Sequence, residues 1–210
     1  MNKHFLQALA LIESTGGLLS DIESLYVADL EKTEASDRLL IKIKSFLEGL
    51  RSALDYCAQG LAEKYGDKAD KTKVAFPYAR LSVTRDEFIG KKYVDNKIPG
   101  LAAKRPDIQD FILSMQHFSD SRCRWFPQFM DLTNKNKHIE LTPHEKFEGV
   151  RVNIGGATII AKGISGNIQG SISKWDAFLI NGVDWPMTAI EFIRHCQRAI
   201  AITVKQLSTM

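Results

Sequence analysis

A chain of 210 residues with 44% apolar and 25% charged side chains is long enough to bury one substantial core, and it is too apolar to be disordered over most of its length. Its formal net charge of +3 is too small to indicate a nucleic-acid partner by itself. Three widely spaced cysteines without a CxxC pair or a Cys/His group argue against a disulfide framework and a zinc site, so we expect reduced thiols and a cytoplasmic protein.

The basic residues are concentrated in the middle of the chain. Residues 64–105 contain eleven Lys or Arg and five Asp or Glu, whereas residues 1–50 contain five Lys or Arg and eight Asp or Glu. This asymmetry fits an anionic partner, and it also fits complementary surfaces within one chain or between two copies. Solvated surface lysines would produce the same pattern, so the charge distribution leaves the partner open.

The first predicted helix covers residues 3–31, with a kink or break expected at Gly16–Gly17. Its opening apolar run is short, because Gln7 interrupts it and Glu13 follows, and the pattern continues as an amphipathic helix rather than as a signal peptide. No stretch of the sequence approaches the roughly 20 apolar residues of a membrane span. We therefore expect no membrane contact.

The second predicted helix, residues 36–65, has the clearest pattern in the chain. Its apolar residues recur at spacings of four and three. They are Leu39, Ile43, Leu47, Leu50, Leu54, Cys57 and Leu61. A helix of about eight turns needs a partner surface along its whole length, which another long helix of the same chain or of a second copy would supply.

A connecting segment and three shorter helices are predicted next. Residues 67–83 are polar and then extended around the sequence VAFPY, which predicts a loop. The three helices are predicted at residues 84–92, 106–117 and 127–138, where they are opened by a capping box at Thr84–Glu87, by Pro106 and by Pro127.

The hydrophobic period changes after these helices. Short β-branched runs separated by glycine predict an antiparallel β-meander at residues 148–186, with a tight turn at Asn181–Gly182. Helical periodicity returns at residues 187–208. A sheet this small cannot hold a core alone. We therefore predict a mainly α protein with a single domain, residues 1–210, in which residues 1–138 and the last helix form an antiparallel bundle and the meander is an insert.

Polar residues accumulate at the end of the predicted helix 127–138. Asn134 and His138 are four residues apart and Lys137 is three from Asn134, so the three side chains can face one patch. A histidine can act as a general acid or base near neutral pH, a lysine can hold a phosphate, and an asparagine can orient either. These groups suit the transfer of the 2′-hydroxyl proton of RNA. A structural interpretation stays open, because cations and asparagine are common at helix C-termini.

A second polar group lies on the long helix 36–65. Arg51 and Asp55 are four residues apart, one step from the apolar stripe, and Tyr56 adjoins them. An arginine that precedes an aspartate is the less favourable order for an ion pair on an isolated helix, so either group could meet another helix. The alternative is a half-buried pair that positions helices.

Other chemistry has little support in the sequence. His138, Glu140 and His144 do not specify a complete ligand set, so no metal site and no cofactor are predicted. The cysteines have no spacing that would pair them with His117 or His195 as a base. The glycine pairs do not match a phosphate-binding loop and predict turns.

Two segments carry a family resemblance, LRSALDYCAQGLA at residues 50–62 and LTNKNKH at residues 132–138. They resemble a group of uncharacterised bacterial and phage-associated proteins with the motifs LRSxLDxxA and LxNxxKH and a β-containing tail, over a layout of residues 36–210. That group is remotely similar to the HEPN superfamily. The resemblance implies a compact helical bundle, usually dimeric, related to metal-independent endoribonucleases of toxin, defence and RNA-processing systems.

The HEPN active corner is an Arg and a His separated by four to six residues, and this sequence departs from it. None of its histidines has an Arg five to seven positions before it. Only His138, with Asn134 and Lys137, occupies the expected corner. Arg51 would supply the guanidinium if the two helices are adjacent. The resemblance therefore supports the fold more strongly than the activity.

The polar residues, together with the resemblance to the HEPN superfamily and what it implies, predict a HEPN-like homodimer that binds or cleaves RNA, or another nucleotide-containing ligand, without a metal or a cofactor. The candidate catalytic residues are His138, Lys137 and Arg51, and the candidate binding residues are Asn134, Asp55, Asn136 and Tyr56. In an enzyme, His138 would move the proton, and the charge on the phosphate would be stabilised by Lys137 and Arg51. These three side chains would be positioned by Asn134 and Asp55. The alternative is a non-catalytic dimeric interaction or regulatory module in which the same polar groups are structural.

Overall fold

Helices make up most of the described structure. The computed structural model describes residues 2–32, 34–67, 73–138, 144–154, 157–161, 171–180 and 188–210, and for residues 135–138, 144–154, 157–161 and 171–176 it describes the backbone alone. The helices are α1 (Lys3–Asp29), α2 (Asp37–Tyr65), α3 (Arg85–Gly90), α4 (Leu101–Lys104), α5 (Pro106–Ser114), α6 (Trp125–His138) and α7 (Ala189–Thr209). The prediction of a mainly α chain is confirmed.

Helices α1 and α2 form an antiparallel pair. The Nδ2 of Asn2, which caps α1, lies 2.8 Å from Oε2 of Glu63 near the end of α2. Lys42 near the start of α2 reaches Asp21 of α1 at 2.7 Å. The side chain of Ser36 caps α2. Every residue of the apolar stripe predicted for α2 is buried, so the periodicity of this helix follows its packing.

Helix α1 continues without interruption across Gly16–Gly17, so the helix does not break there. The reason is tertiary packing, because α1 packs against both α2 and α7. Arg194 of α7 pairs with Glu23 at 2.7 Å, and a Cβ placed on Gly16 would lie 3.5 Å from Nε2 of Gln197. Contacts on two sides outweigh the low helix propensity of two glycines.

Helix α7 completes the bundle. Thr188 and Glu191 form a capping box at its start, in which the threonine side chain accepts from the Glu191 amide and the glutamate accepts from the Thr188 amide. Its buried apolar residues share one core with those of α1, α2 and α6. They are Ala189, Phe192, Ile193, Cys196, Ile200, Val204 and Leu207.

The described strands form one antiparallel sheet before α7. The strands are β1 (His144–Ile154), β2 (Ala157–Ala161) and β3 (Ser171–Ile180), in the order β2-β1-β3. A meander would place β2 in the centre, so the predicted strand order is wrong, and the sheet also begins before residue 148. The physical reason is length, because β1 and β3 can pair along almost their whole extent whereas β2 is short.

The end of β3 attaches the sheet to the bundle. The backbone N–H of Phe178 donates to Oη of Tyr26 on α1 at 3.0 Å, and the two rings meet edge to face with centroids 5.6 Å apart. Phe178 and Ile180 belong to the same hydrophobic core as the helices. The predicted turn at Asn181–Gly182 lies outside the described residues.

The chain between α2 and α6 contains short elements. Residues 74–80 form neither helix nor strand, as predicted from the proline and the polar flank. The 3-10 turn Ser121–Arg124 leads directly into α6, which therefore begins at Trp125, two residues before the predicted start. Within the described ranges, none of the helices combines the length and the apolar character that a bilayer crossing requires.

Candidate functional site

Arg51 lies on the face of α2 that packs against α6. Its Nε donates to Oδ2 of Asp55 at 3.1 Å, and its Nη1 lies 2.8 Å from the sulfur of Met130 on α6. The Arg51 side chain is only 10% exposed. Because a thioether is a weak acceptor, Asp55 is the strong partner of this buried guanidinium among the described residues.

Asp55 connects α2 to the extended segment of residues 74–80. Its second oxygen, Oδ1, accepts from the backbone N–H of Phe76 at 2.9 Å. Phe76 precedes Pro77, and the residue before a proline is held in an extended conformation. An extended segment that pairs with no strand needs other acceptors for its N–H groups. Asp55 supplies one, and Oε1 of Gln116 supplies another to Ala79 at 2.9 Å.

Tyr78 links the two helices that carry the candidate site. The guanidinium carbon of Arg51 lies 5.7 Å from the centroid of the Tyr78 ring, within the range of a cation–π contact. The Tyr78 hydroxyl accepts from Nδ2 of Asn134 at 2.9 Å and donates to Oδ1 of Asp131 in a long bond of 3.5 Å. We call Arg51, Asp55, Tyr78, Asp131 and Asn134 the polar cluster.

The helical repeat explains why α6 contributes several neighbours to the polar cluster. Met130 and Asn134 are four residues apart, and Asp131 and Asn134 are three apart, so all three lie on neighbouring parts of the same helix surface. Asp131 and Asn134 are half-buried, as are Asp55 and Tyr78, whereas Arg51 is buried. The cluster therefore extends from the interior to the protein surface.

The structure brings together three of the residues predicted from the sequence, namely Arg51, Asp55 and Asn134. It places Tyr56 elsewhere, because the Tyr56 ring stacks on His4 of α1 with centroids 6.1 Å apart, and no described contact joins it to the polar cluster.

The remaining predicted residues complete the last turn of α6, which ends at residue 138. The side chains of Asn136, Lys137 and His138 lie outside the described part of the structure. Their roles stay predictions.

Sequence reasoning missed Tyr78 and Asp131. Asp131 could have been found, because it is three residues before Asn134 and therefore shares its helix surface. Tyr78 could not, since it lies on a segment without periodicity whose path depends on the bonds to Asp55 and Gln116.

Cys57 and Cys196 are poorly suited to nucleophilic catalysis, and His195 is poorly suited to act as their base. Burial raises the pKa of the Cys57 thiol to about 12 and that of Cys196 well above its ordinary value, so almost no thiolate exists at neutral pH. Burial, aided by nearby Arg198, lowers the pKa of His195, whose ring packs edge to face against Trp125 with centroids 5.2 Å apart. Cys57 and Cys196 belong to the hydrophobic core, and His195 is half-buried.

The part of the chain with described side chains contains no group of three or more His, Cys, Asp or Glu that could hold a metal ion. Of the metal candidates considered in the sequence, Glu140 and the side chains of His138 and His144 lie outside the described residues.

Comparisons with other proteins do not assign the chain to a family. No protein-family model matches the chain, and no curated protein and no solved structure matches it. The HEPN resemblance therefore stays a prediction.

Proposed function

We propose that the chain is a HEPN-like helical protein that binds RNA at the C-terminal end of α6 and, where it acts as an enzyme, cleaves RNA without a metal. One observation carries the proposal. Arg51 and Asn134, which were selected from separate motifs on different helices, meet through Tyr78 in one cluster that extends to the protein surface.

The burial of Arg51 assigns it a positioning role within this proposal. In the described conformation its Nε donates to Asp55 and its Nη1 faces Met130, and the side chain is only 10% exposed, so little of the guanidinium is accessible to a phosphate. We therefore assign phosphate binding to Lys137 at the end of α6. Arg51 and Asp55 hold α2, the segment 74–80 and α6 in register.

The proposed cleavage step is a transesterification within the RNA strand. His138 removes the proton from a ribose 2′-hydroxyl, and the 2′-oxygen attacks the adjacent phosphorus. The bond to the 5′-oxygen breaks, and that oxygen takes up a proton from water, which yields a 2′,3′-cyclic phosphate and a 5′-hydroxyl. Lys137 stabilises the additional negative charge on the phosphorane.

RNA binding and cleavage by purified variants test the proposal. We expect the wild type to shift or cut fluorescently labelled single-stranded RNA in the presence of EDTA. Lys137→Ala should weaken binding, and its dependence on salt should be shallower, because one phosphate contact is lost. His138→Ala should abolish cleavage and leave binding largely intact. Lys205→Ala, which removes an exposed lysine on α7, is the matched control.

The outcomes separate binding from catalysis. A wild type that binds RNA without cutting it retains the binding proposal and removes the enzymatic one. RNA that neither shifts nor is cut, equally for the wild type and both α6 variants, overturns the proposed function.

A second candidate is a non-catalytic dimeric interaction or regulatory module in which the polar cluster is structural. The burial of Arg51 and its bond to Asp55 favour it. Under this candidate Arg51→Ala should lower the melting temperature by about 5–10 °C, because Asp55 loses its charged partner at the helix interface. Light scattering should show a dimer for the wild type. A monomer with no RNA affinity would contradict both candidates.

A further inference from the structure

The Tyr78 hydroxyl has two partners with different hydrogen-bonding abilities. Asp131 lies 3.5 Å away through Oδ1, and Asn134 lies 2.9 Å away through Nδ2. An ionised carboxylate can only accept hydrogen bonds. Asn134 already donates to the Tyr78 oxygen, so the single hydroxyl proton of Tyr78 turns toward Asp131 in a long, weak bond.

This arrangement determines which end of the Asn134 carboxamide faces Tyr78. A hydroxyl whose proton is already engaged accepts a bond from the amide nitrogen but has no proton for the amide oxygen. The Nδ2 end therefore faces Tyr78, and the carbonyl oxygen Oδ1 points away. Among the residues with described side chains, none donates to Oδ1 of Asn134, and the residue is half-buried.

We infer that Tyr78 and Asp131 are positioning residues that present the Asn134 carbonyl oxygen as a hydrogen-bond acceptor for a ribose 2′-hydroxyl of bound RNA. The inference rests on the proposed function and extends it to specificity. The 2′-hydroxyl is a donor that DNA lacks, so an acceptor fixed in this orientation favours RNA. An amide free to rotate would offer either end and would discriminate less.

The exocyclic amino groups of bases are also hydrogen-bond donors, and they too can bind the Asn134 carbonyl oxygen. The choice of ligand distinguishes these amino groups from the ribose 2′-hydroxyl. Oligouridine has no exocyclic amino group. A difference in affinity between oligouridines with different sugars therefore cannot arise from base amino groups. The 2′-fluoro analogue of oligouridine keeps an RNA-like sugar and lacks the 2′ donor. The ratio of the two dissociation constants therefore measures recognition of the 2′-hydroxyl alone.

Fluorescence anisotropy with oligouridine and its 2′-fluoro analogue tests the inference, with a gel to verify that the RNA remains intact. We expect the wild type to bind the 2′-hydroxyl form about three- to tenfold more tightly, the range of one ordinary hydrogen bond. Tyr78→Phe keeps the ring beside Arg51 but removes the hydroxyl, so this ratio should fall to about one while binding of the fluoro analogue is unchanged. Asp131→Asn should act in the same direction.

Tyr93→Phe is the matched control, because Tyr93 stacks on Phe88 away from the polar cluster. It should retain the wild-type ratio, and thermal melting should verify that every variant is folded. A wild type that binds both ligands equally, or a Tyr78→Phe protein that keeps the wild-type ratio, overturns this inference and leaves RNA binding in place. A wild type that binds neither ligand overturns the proposed function and this inference with it.

Discussion

Asp55 links Arg51, one turn earlier on α2, to the extended segment of residues 74–80. One carboxylate oxygen accepts from Arg51 and the other accepts from the Phe76 amide. Asparagine has the same shape but places an amide group opposite one of these donors, so one of the two bonds cannot be satisfied. The charge that supports the buried guanidinium is also lost.

Asp55→Asn should therefore lower the free energy of unfolding by about 1.5–3 kcal/mol, the range for a bond to a charged group. Urea denaturation of the purified protein measures this change. Asp110→Asn, which neutralises an exposed carboxylate on α5, should have little effect. Equal stabilities for the two variants would show that Asp55 does not stabilise the described fold.

Lys92 has a left-handed backbone conformation, with φ of 51°, where the chain leaves α3. The amide of Lys92 bonds the carbonyl of Ile89, and the amide of Tyr93 bonds that of Phe88, which is the bonding pattern of a Schellman motif. Glycine is usual at this position because it has no Cβ.

Lys92→Gly should stabilise the protein by about 0.5–1 kcal/mol, since relief of the left-handed strain exceeds the added entropy of the unfolded chain. The neighbouring Lys91 has an ordinary negative φ of −86°, so Lys91→Gly should destabilise it. Chemical denaturation of both variants gives the comparison. A change in the free energy of unfolding that has the same sign for both variants would contradict the argument from backbone strain.

At the scale of elements, the closeness of α1 and α2 depends on particular glycines. A Cβ on Gly60 would lie 2.9 Å from the Phe5 ring, whereas a Cβ on Gly17 would meet nothing within 4 Å. Both residues lie inside helices, where alanine is intrinsically favoured over glycine.

Gly17→Ala should stabilise the protein by about 0.5–1 kcal/mol, because helix propensity improves without a clash. Gly60→Ala should destabilise it by about 1–3 kcal/mol, because the Phe5 ring or the helix must move. The melting temperatures of the two variants should thus change in opposite directions. A rise for Gly60→Ala would show that the contact between α1 and α2 is looser than described.

At the scale of the whole molecule, acid should weaken the connection between α1 and α2. Asp29 at the end of α1 is buried and accepts from the Ser36 amide at 2.8 Å, from the Ser36 hydroxyl at 2.5 Å and from Lys32. Burial by itself would raise the pKa of Asp29, but the bonds from Lys32 and Ser36 outweigh it and place the pKa below the ordinary value of 3.8.

The sign of the pH dependence follows from this lowered pKa. The stabilisation by Asp29 is present above pH 3.8 and is lost as the pH falls through the lower folded-state pKa. Asp29→Asn should cost about 1.5–3 kcal/mol at pH 7 and progressively less below pH 4. Unfolding measured from pH 7 to pH 2 tests this, with the exposed Glu34→Gln as the control. A cost independent of pH would contradict the lowered pKa.

Local patterns predicted the elements that depend on local physics. The stripe from Leu39 to Leu61, the capping box at Thr84–Glu87 and the helix that contains Asn134 all correspond to structure, because helical periodicity and end capping are properties of neighbouring residues. The same reasoning selected Arg51, Asp55 and Asn134, which are polar groups beside apolar helix faces.

Three features of the fold depend on tertiary structure and could not be predicted from neighbouring residues. Tertiary structure kept α1 helical across Gly16–Gly17, placed β1 in the centre of the sheet, and brought Tyr78 between α2 and α6. Each of these results depends on partners that are distant in sequence, and neither a helical period nor a turn signal contains information about them. The sequence by itself determined which residues form helices and which faces are buried. Long-range packing and hydrogen bonding determined which of those faces meet.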